Sequence, residues 1–146
     1  MSFLEKLGPK LITGDKKLTS TTTLAEQKFI GIYLGSKWSP ASQAFLPKLI
    51  DFYKVINEGE TVLEIVYLSW DSGEKDFVEE LERTPWLAIP FKQKLRFTFY
   101  NEFKELFPGL PSFVIFDTSG ELIEGNGRRE IELNNEEFTE NLKKMI

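Results

Sequence analysis

The chain has 146 residues, 41% of them hydrophobic and 28% charged, enough for one domain with a real core and close to the globular average. Its 18 basic and 23 acidic residues give a net charge of −5, and the scattered cations form no stripe able to follow a phosphate backbone, so nucleic acid is excluded as a partner. The chain has no Cys and no His, which removes disulfides, thiolate chemistry, haem ligation by His, the usual zinc sites and any Ser-His or Cys-His dyad.

No apolar run approaches the ~20 residues that span a bilayer, and the N-terminus lacks the apolar core of a signal peptide. Membrane insertion is therefore not expected, and the expected location is intracellular, in the cytoplasm. The 13 Phe point to a core of large rings.

Residues 1–28 are polar and turn-rich. Leu11-Ile12 and Lys17-Leu18 are arms of a small hairpin around Gly14-Asp15, and Thr23 caps a turn of helix over Leu24–Gln27 with Glu26 as its capping-box partner. From residue 29 the core begins. Phe29–Leu34 is a continuous apolar run, the pattern of a strand covered on both faces. Gly35-Ser36-Lys37 leads into Trp38-Ser39-Pro40-Ala41-Ser42 and then a helix to about Asn57, with Phe45, Leu49, Phe52, Tyr53 and Ile56 along one face. Pro40 suits a first turn, where its missing N–H costs nothing, whereas Pro47 lies inside the helix and predicts a kink.

Glu58-Gly59-Glu60 ends that helix and Val62–Leu68 forms a second apolar strand, so strand, helix and strand make a parallel, right-handed unit. Glu74–Arg83 is a short helix with Phe77, Val78 and Leu81 inward. Thr84–Phe91, with Pro85 and Pro90, is an apolar loop. Lys94–Leu106 is another helix, and Ser112–Phe116 a strand joined through Asp117–Gly120 to an antiparallel partner at Glu121–Ile123. A last helix runs from about Asn135 to Lys144, capped by Asn134 and Glu137, with Phe138, Leu142 and Met145 inward.

Together these features resemble the thioredoxin superfamily, and within it the tryparedoxin and nucleoredoxin-like branch. Trp38–Ser42 aligns with the motif Trp-Cys-Pro-Pro-Cys; Phe45, Pro47, Leu49, Phe52 and Tyr53 match the helix behind it; Trp70-Asp71 and Pro85–Phe91 match two later signatures. Leu110-Pro111-Ser112 falls at the family's cis-proline, and the matches keep their order over roughly residues 29–125. The resemblance implies an α/β fold, a three-layer α/β/α sandwich with a mixed central sheet, here as one thioredoxin-like domain over 1–146. Within it 1–28 is the N-terminal hairpin and turn segment and 29–146 the core.

The departure lies at the chemical centre. Ser39 and Ser42 occupy both cysteine positions and Ala41 the second proline. A dithiol reductase needs a thiolate to attack a disulfide and a second thiol to resolve the intermediate, and a serine hydroxyl does neither. Ser39 has no recognisable base beyond Lys37 or a carboxylate, and serine is a good helix N-cap. Two readings stand: a natural pseudo-enzyme retained as a protein-binding or structural subunit, or a thiol-disulfide oxidoreductase whose Cys-x-x-Cys site has become Ser-Pro-Ala-Ser. In the second, 39 is the attacking position and 42 the resolving one.

Carried over by position, the resemblance implies that Trp38, Pro40, Trp86, Leu110 and Pro111 form a shallow apolar groove receiving an extended peptide by strand addition. The partner is then a protein segment, with no cofactor and no metal. Asp71, Glu74 and Asp76 lack calcium-loop spacing and read as acidic residues at a helix start. Arg128-Arg129 and Gly125-Asn126-Gly127 read as solvated turn.

Overall fold

The computed structural model describes residues 2–146. Its seven strands form one mixed sheet: β1 (Lys10–Ile12), β2 (Leu18–Ser20), β3 (Phe29–Gly35), β4 (Leu63–Ser69), β5 (Leu87–Ala88), β6 (Ser112–Phe116) and β7 (Leu122–Glu124), in the order β2-β1-β5-β4-β3-β6-β7. The apolar runs expected to be covered on both faces are the central pair. Every residue of β3 is buried and β4 runs parallel to it, with Phe29 opposite Leu63 and Gly35 opposite Ser69.

Helices cover both faces. Side chains at alternate strand positions (Phe29, Tyr33, Ile65, Tyr67) pack under α2 (Pro40–Ile56), α3 (Glu74–Glu82) and α5 (Gly127–Lys144). The opposite set (Ile30, Ile32, Leu34, Val66, Leu68) packs against α1 (Phe3–Lys6) and α4 (Leu95–Phe103). The three-layer sandwich and mixed sheet expected from the sequence are therefore present.

Asn57 joins the end of α2 to the start of β4. Its side-chain oxygen accepts from the amides of Val62 (2.9 Å) and Leu63 (3.0 Å), and its amide donates to the Leu63 carbonyl (2.9 Å). Phe113 ties three elements together. A Cβ on Gly31 of β3 would lie 2.6 Å from its ring, and one on Gly127 of α5 would lie 2.6 Å from another ring atom. Only glycine leaves room for that ring on both sides.

Several local expectations differ from what forms. Ser20 rather than Thr23 caps the early turn, a 3-10 helix over Thr21–Glu26, because the Ser20 hydroxyl reaches the Thr22 amide while Thr23 donates back to the Ser20 carbonyl. The loop Thr84–Phe91 contains a strand: Val66 and Tyr67 of β4 pair in parallel with Leu87 and Ala88, and Ile12 of β1 pairs from the other side. The last helix begins at Gly127, where the Asn126 side chain accepts from the Arg129 amide. Asn134 has non-helical backbone (φ −140°, ψ 38°), so the expected helix from about Asn135 does begin there, across a kink from an earlier helical segment that the sequence reads as a turn. Arg128 and Arg129 are thus in the first turn of that earlier segment, and Met145 is exposed rather than inward.

Candidate functional site

Topology decides which residues meet. β3 and β4 are parallel, so both end at the same edge, and β6 runs antiparallel to β3, so it starts there with Ser112 opposite Leu34. Ser36–Ser39, Trp70-Asp71 and Leu110-Pro111 therefore share the edge at the carboxyl ends of the parallel strands, where sheets of this kind hold their sites.

At the centre, Ser39 has extended backbone (φ −85°, ψ 116°) and its hydroxyl accepts from the Ser42 amide at 3.2 Å, the geometry of a helix N-cap, with Pro40 in the first turn. Ser42 is fully buried and its hydroxyl accepts from the Ser36 amide at 3.4 Å. Both hydroxyls are thus occupied in shaping the loop and the helix start. Neither has a base. The Lys37 ammonium is held by Glu79 and, at 3.8 Å, by Asp76, and the hydrogen bond to Glu79 raises its pKa, so it stays protonated.

Beneath the loop lies a buried polar network. The Asp71 carboxylate accepts from the Lys37 amide, the Tyr67 hydroxyl and the Ser69 hydroxyl, each at 2.7 Å. Burial, and then the neighbouring Asp71 charge, push the Tyr67 hydroxyl far above its ordinary range. Arg96, on the far side, donates to the Ser69 carbonyl at 2.7 Å and stacks 4.0 Å over Phe91. A second buried carboxylate, Glu80, accepts from Gln43 of α2 (2.6 Å) and Arg83 (2.9 Å). Among the described residues, no group of three or more acidic side chains is placed to hold a metal ion. Asp71 is turned inward, and Glu74 pairs with Lys92 at 3.5 Å.

The proposed groove residues divide. Trp38 is 56% exposed, yet fixed, because its indole N–H donates to the Trp70 carbonyl at 3.1 Å. Pro40 is exposed beside it. The Leu110-Pro111 peptide bond is cis, Pro111 is buried, and Leu110 is half-buried with no hydrogen bond to its own N–H or C=O among the described residues. Trp86 does not join them. It is 2% exposed, packed edge-on against Tyr33 and Tyr53, because the short β5 pulls its neighbours into the sheet. Leu110 and Pro111 line a cleft of about 430 Å³ that continues past Gly125 to Asn126 and Arg128, and neither Trp38 nor Pro40 lines it.

The sequence did not point to Asp71 as an organiser, nor to Glu80 and Arg96 as buried. Each is a charged residue beside apolar neighbours, and nothing local shows that its own side chain, rather than only theirs, turns inward. The one available signal was the Trp70-Asp71 pair directly after a buried strand.

Residues 27–122 match a family model described as thioredoxin-like. Nucleoredoxin of Danio rerio is 30% identical over 129 residues, covering 88% of this chain and 30% of that protein. Nucleoredoxin of Homo sapiens is 30% identical over 133 residues, with 91% and 30% covered. The chain thus spans under a third of the length of these relatives. Tryparedoxin of Trypanosoma brucei brucei is 36% identical over 67 residues, 46% of each chain. Among solved structures, tryparedoxin II from C. fasciculata superposes with a TM-score of 0.82 at 28% identity, covering 91% of this chain and 89% of the other. A structure of tryparedoxin II complexed with glutathionylspermidine gives 0.81 at 28%, with 91% and 93% covered.

Proposed function

Since this chain belongs to the thioredoxin-like family and carries serines where a dithiol would stand, we propose that it is a redox-inactive member whose work is to bind an extended protein segment. The observation that carries this reading is the open main chain of Leu110 at the start of β6. An N–H and a C=O at a strand end, beside a cis-proline, offer the two hydrogen bonds by which an added strand docks. Trp38 supplies a rigid aromatic anchor near that edge, and a side chain already fixed loses little freedom when it is covered. The neighbour solved with glutathionylspermidine supports a ligand-binding role for the fold. Among the described residues no helix is long and apolar enough to cross a membrane.

The test pans a displayed library of random peptides on the protein and maps the selected peptides by amide shifts. Binding at the edge moves the amides of Leu110 and Ser112, and Trp38→Ala weakens it about tenfold, a loss of roughly 1.4 kcal/mol, with the melting temperature nearly unchanged. Selected peptides that leave the Leu110 amide unmoved overturn the reading.

The intact scaffold favours a second reading, a disulfide oxidoreductase with its sulfurs replaced. Ser39→Cys with Ser42→Cys, assayed for insulin disulfide reduction, separates the two. Full activity of a typical dithiol member supports recent loss, and inactivity supports a site that has drifted to binding alone.

A further inference from the structure

The cleft beside the cis-proline does not close at Arg128. Asn126 and Arg128 line it on one side and, on the other, line a second opening of about 510 Å³ whose remaining walls are Lys48, Arg129, Glu132 and Leu133. The two openings adjoin and form a path that leaves the Leu110 edge, crosses the first turn of α5 and reaches the exposed flank where α2 meets α5.

The charge on this path opposes that of the whole molecule. Lys48, Arg128 and Arg129 contribute three positive charges against two negative, from Glu132 and, at the entrance of the first opening, Glu105, while the chain carries −5. Glu132 is already committed, its carboxylate accepting from the Arg128 guanidinium at 3.0 Å, and a second Arg128 nitrogen donates to the Pro111 carbonyl at 3.3 Å. Lys48 and Arg129 are exposed and make no ion pair among the described residues. Leu133, 68% exposed, adds an apolar contact at the far end.

Two open cations on a surface that is otherwise acidic suit an anionic occupant, because complementary potential guides encounter and penalises the wrong partner. An extended chain advances about 3.3 Å per residue, so a segment docked on Leu110 reaches the second opening within a few residues. Resting on the peptide-docking reading above, we infer that the partner is an acidic extended segment, with one residue docked on the Leu110 edge and carboxylates a few positions away lying between Lys48 and Arg129. The charge-bearing half of the site belongs to α2 and α5, and the main-chain half to β6.

The experiment uses the same displayed random-peptide library on the wild-type protein and on Lys48→Glu with Arg129→Glu. Both side chains are exposed, and a melting curve for the variant superposing on that of the wild type confirms folding. Wild-type selection is expected to enrich Asp and Glu on one side of an apolar residue. A synthetic copy of the best peptide should bind the charge-reversed protein at least about tenfold more weakly and lose affinity with added salt. Selection on the variant should enrich Lys and Arg at the same positions.

Peptides that shift the Leu110 amide but show no acidic enrichment, and bind both proteins equally, overturn this inference and leave the docking reading standing. Peptides that are acidic and sensitive to the charge reversal but leave Leu110 unmoved overturn the docking reading, and with it the shared path. Failure to select any peptide overturns both.

Discussion

Ser39 holds a helix where its counterpart would hold a reactive electron pair. Replacing it with alanine removes the acceptor of the Ser42 amide and is expected to cost about 1 kcal/mol in urea unfolding, with most of that recovered in Ser39→Asp, which caps as well. An unchanged midpoint in Ser39→Ala would show that the cap contributes nothing. Glu64 on β4 makes a different kind of prediction. It accepts from the Tyr53 hydroxyl and the Ile65 amide at 3.0 Å each, and burial raises its pKa from 4.5. A carboxyl that binds its proton more tightly when folded adds stability below the unfolded value, and that addition is lost as pH rises through the folded value. Wild type should therefore lose stability relative to Glu64→Gln as pH climbs from about 4.5 into the raised range. Parallel stability profiles for the two proteins would refute this.

At the scale of elements, the loop that carries Trp38 is held from below by Asp71, which ties the Lys37 amide to β4. Asp71→Ala strands the Lys37 amide and the Ser69 hydroxyl in a buried place, at an expected cost of about 3 kcal/mol. The loop should also loosen, so that hydrogen exchange of the Trp38 indole N–H accelerates together with the loss of stability. Slow exchange in a destabilised variant would place the loop's order elsewhere. These elements also show what a sequence makes readable. The strand–helix–strand around residue 39 and the hairpin at Asp117 were legible because apolar periodicity and turn residues act within a few positions, whereas the cis-proline position came only from the family resemblance. β5 was not, since two residues between prolines acquire strand character only from β1 and β4 on either side. The start of α5 was read as a turn because Gly125-Asn126-Gly127 is turn chemistry; the third-residue acceptor of Asn126 makes it a cap.

Over the whole molecule, Phe113 links the start of β6 to the layer formed by α2 and α5. Its ring lies on Gly31 at the middle of β3 and on Gly127 at the start of α5, while its neighbours in the chain are residues of the proposed docking edge. Gly31→Ala forces that ring to move within a close-packed core and is expected to destabilise the fold by about 1–3 kcal/mol, with shifts at Leu110 and Arg128 that a purely local change would not produce. An alanine variant as stable as wild type, with those amides unmoved, would break the link. The family resemblance carried Trp86 into the groove by position, and the local sequence holds nothing to correct it. Nothing near residue 86 shows that Tyr33 and Tyr53, more than thirty positions away, enclose it.

The three tryptophans occupy three different environments, and the protein thereby carries its own optical reporters. Trp86 is enclosed by aromatic rings, Trp70 is half-buried against Tyr100, and Trp38 stands in solvent at the proposed docking edge. A dissolved quencher reaches the last far more readily than the first. Emission lost to the quencher measures whether the edge is open, while emission that survives it follows the integrity of the core. Occupancy and unfolding, which a single fluorescence trace ordinarily confounds, can be followed in one unlabelled sample.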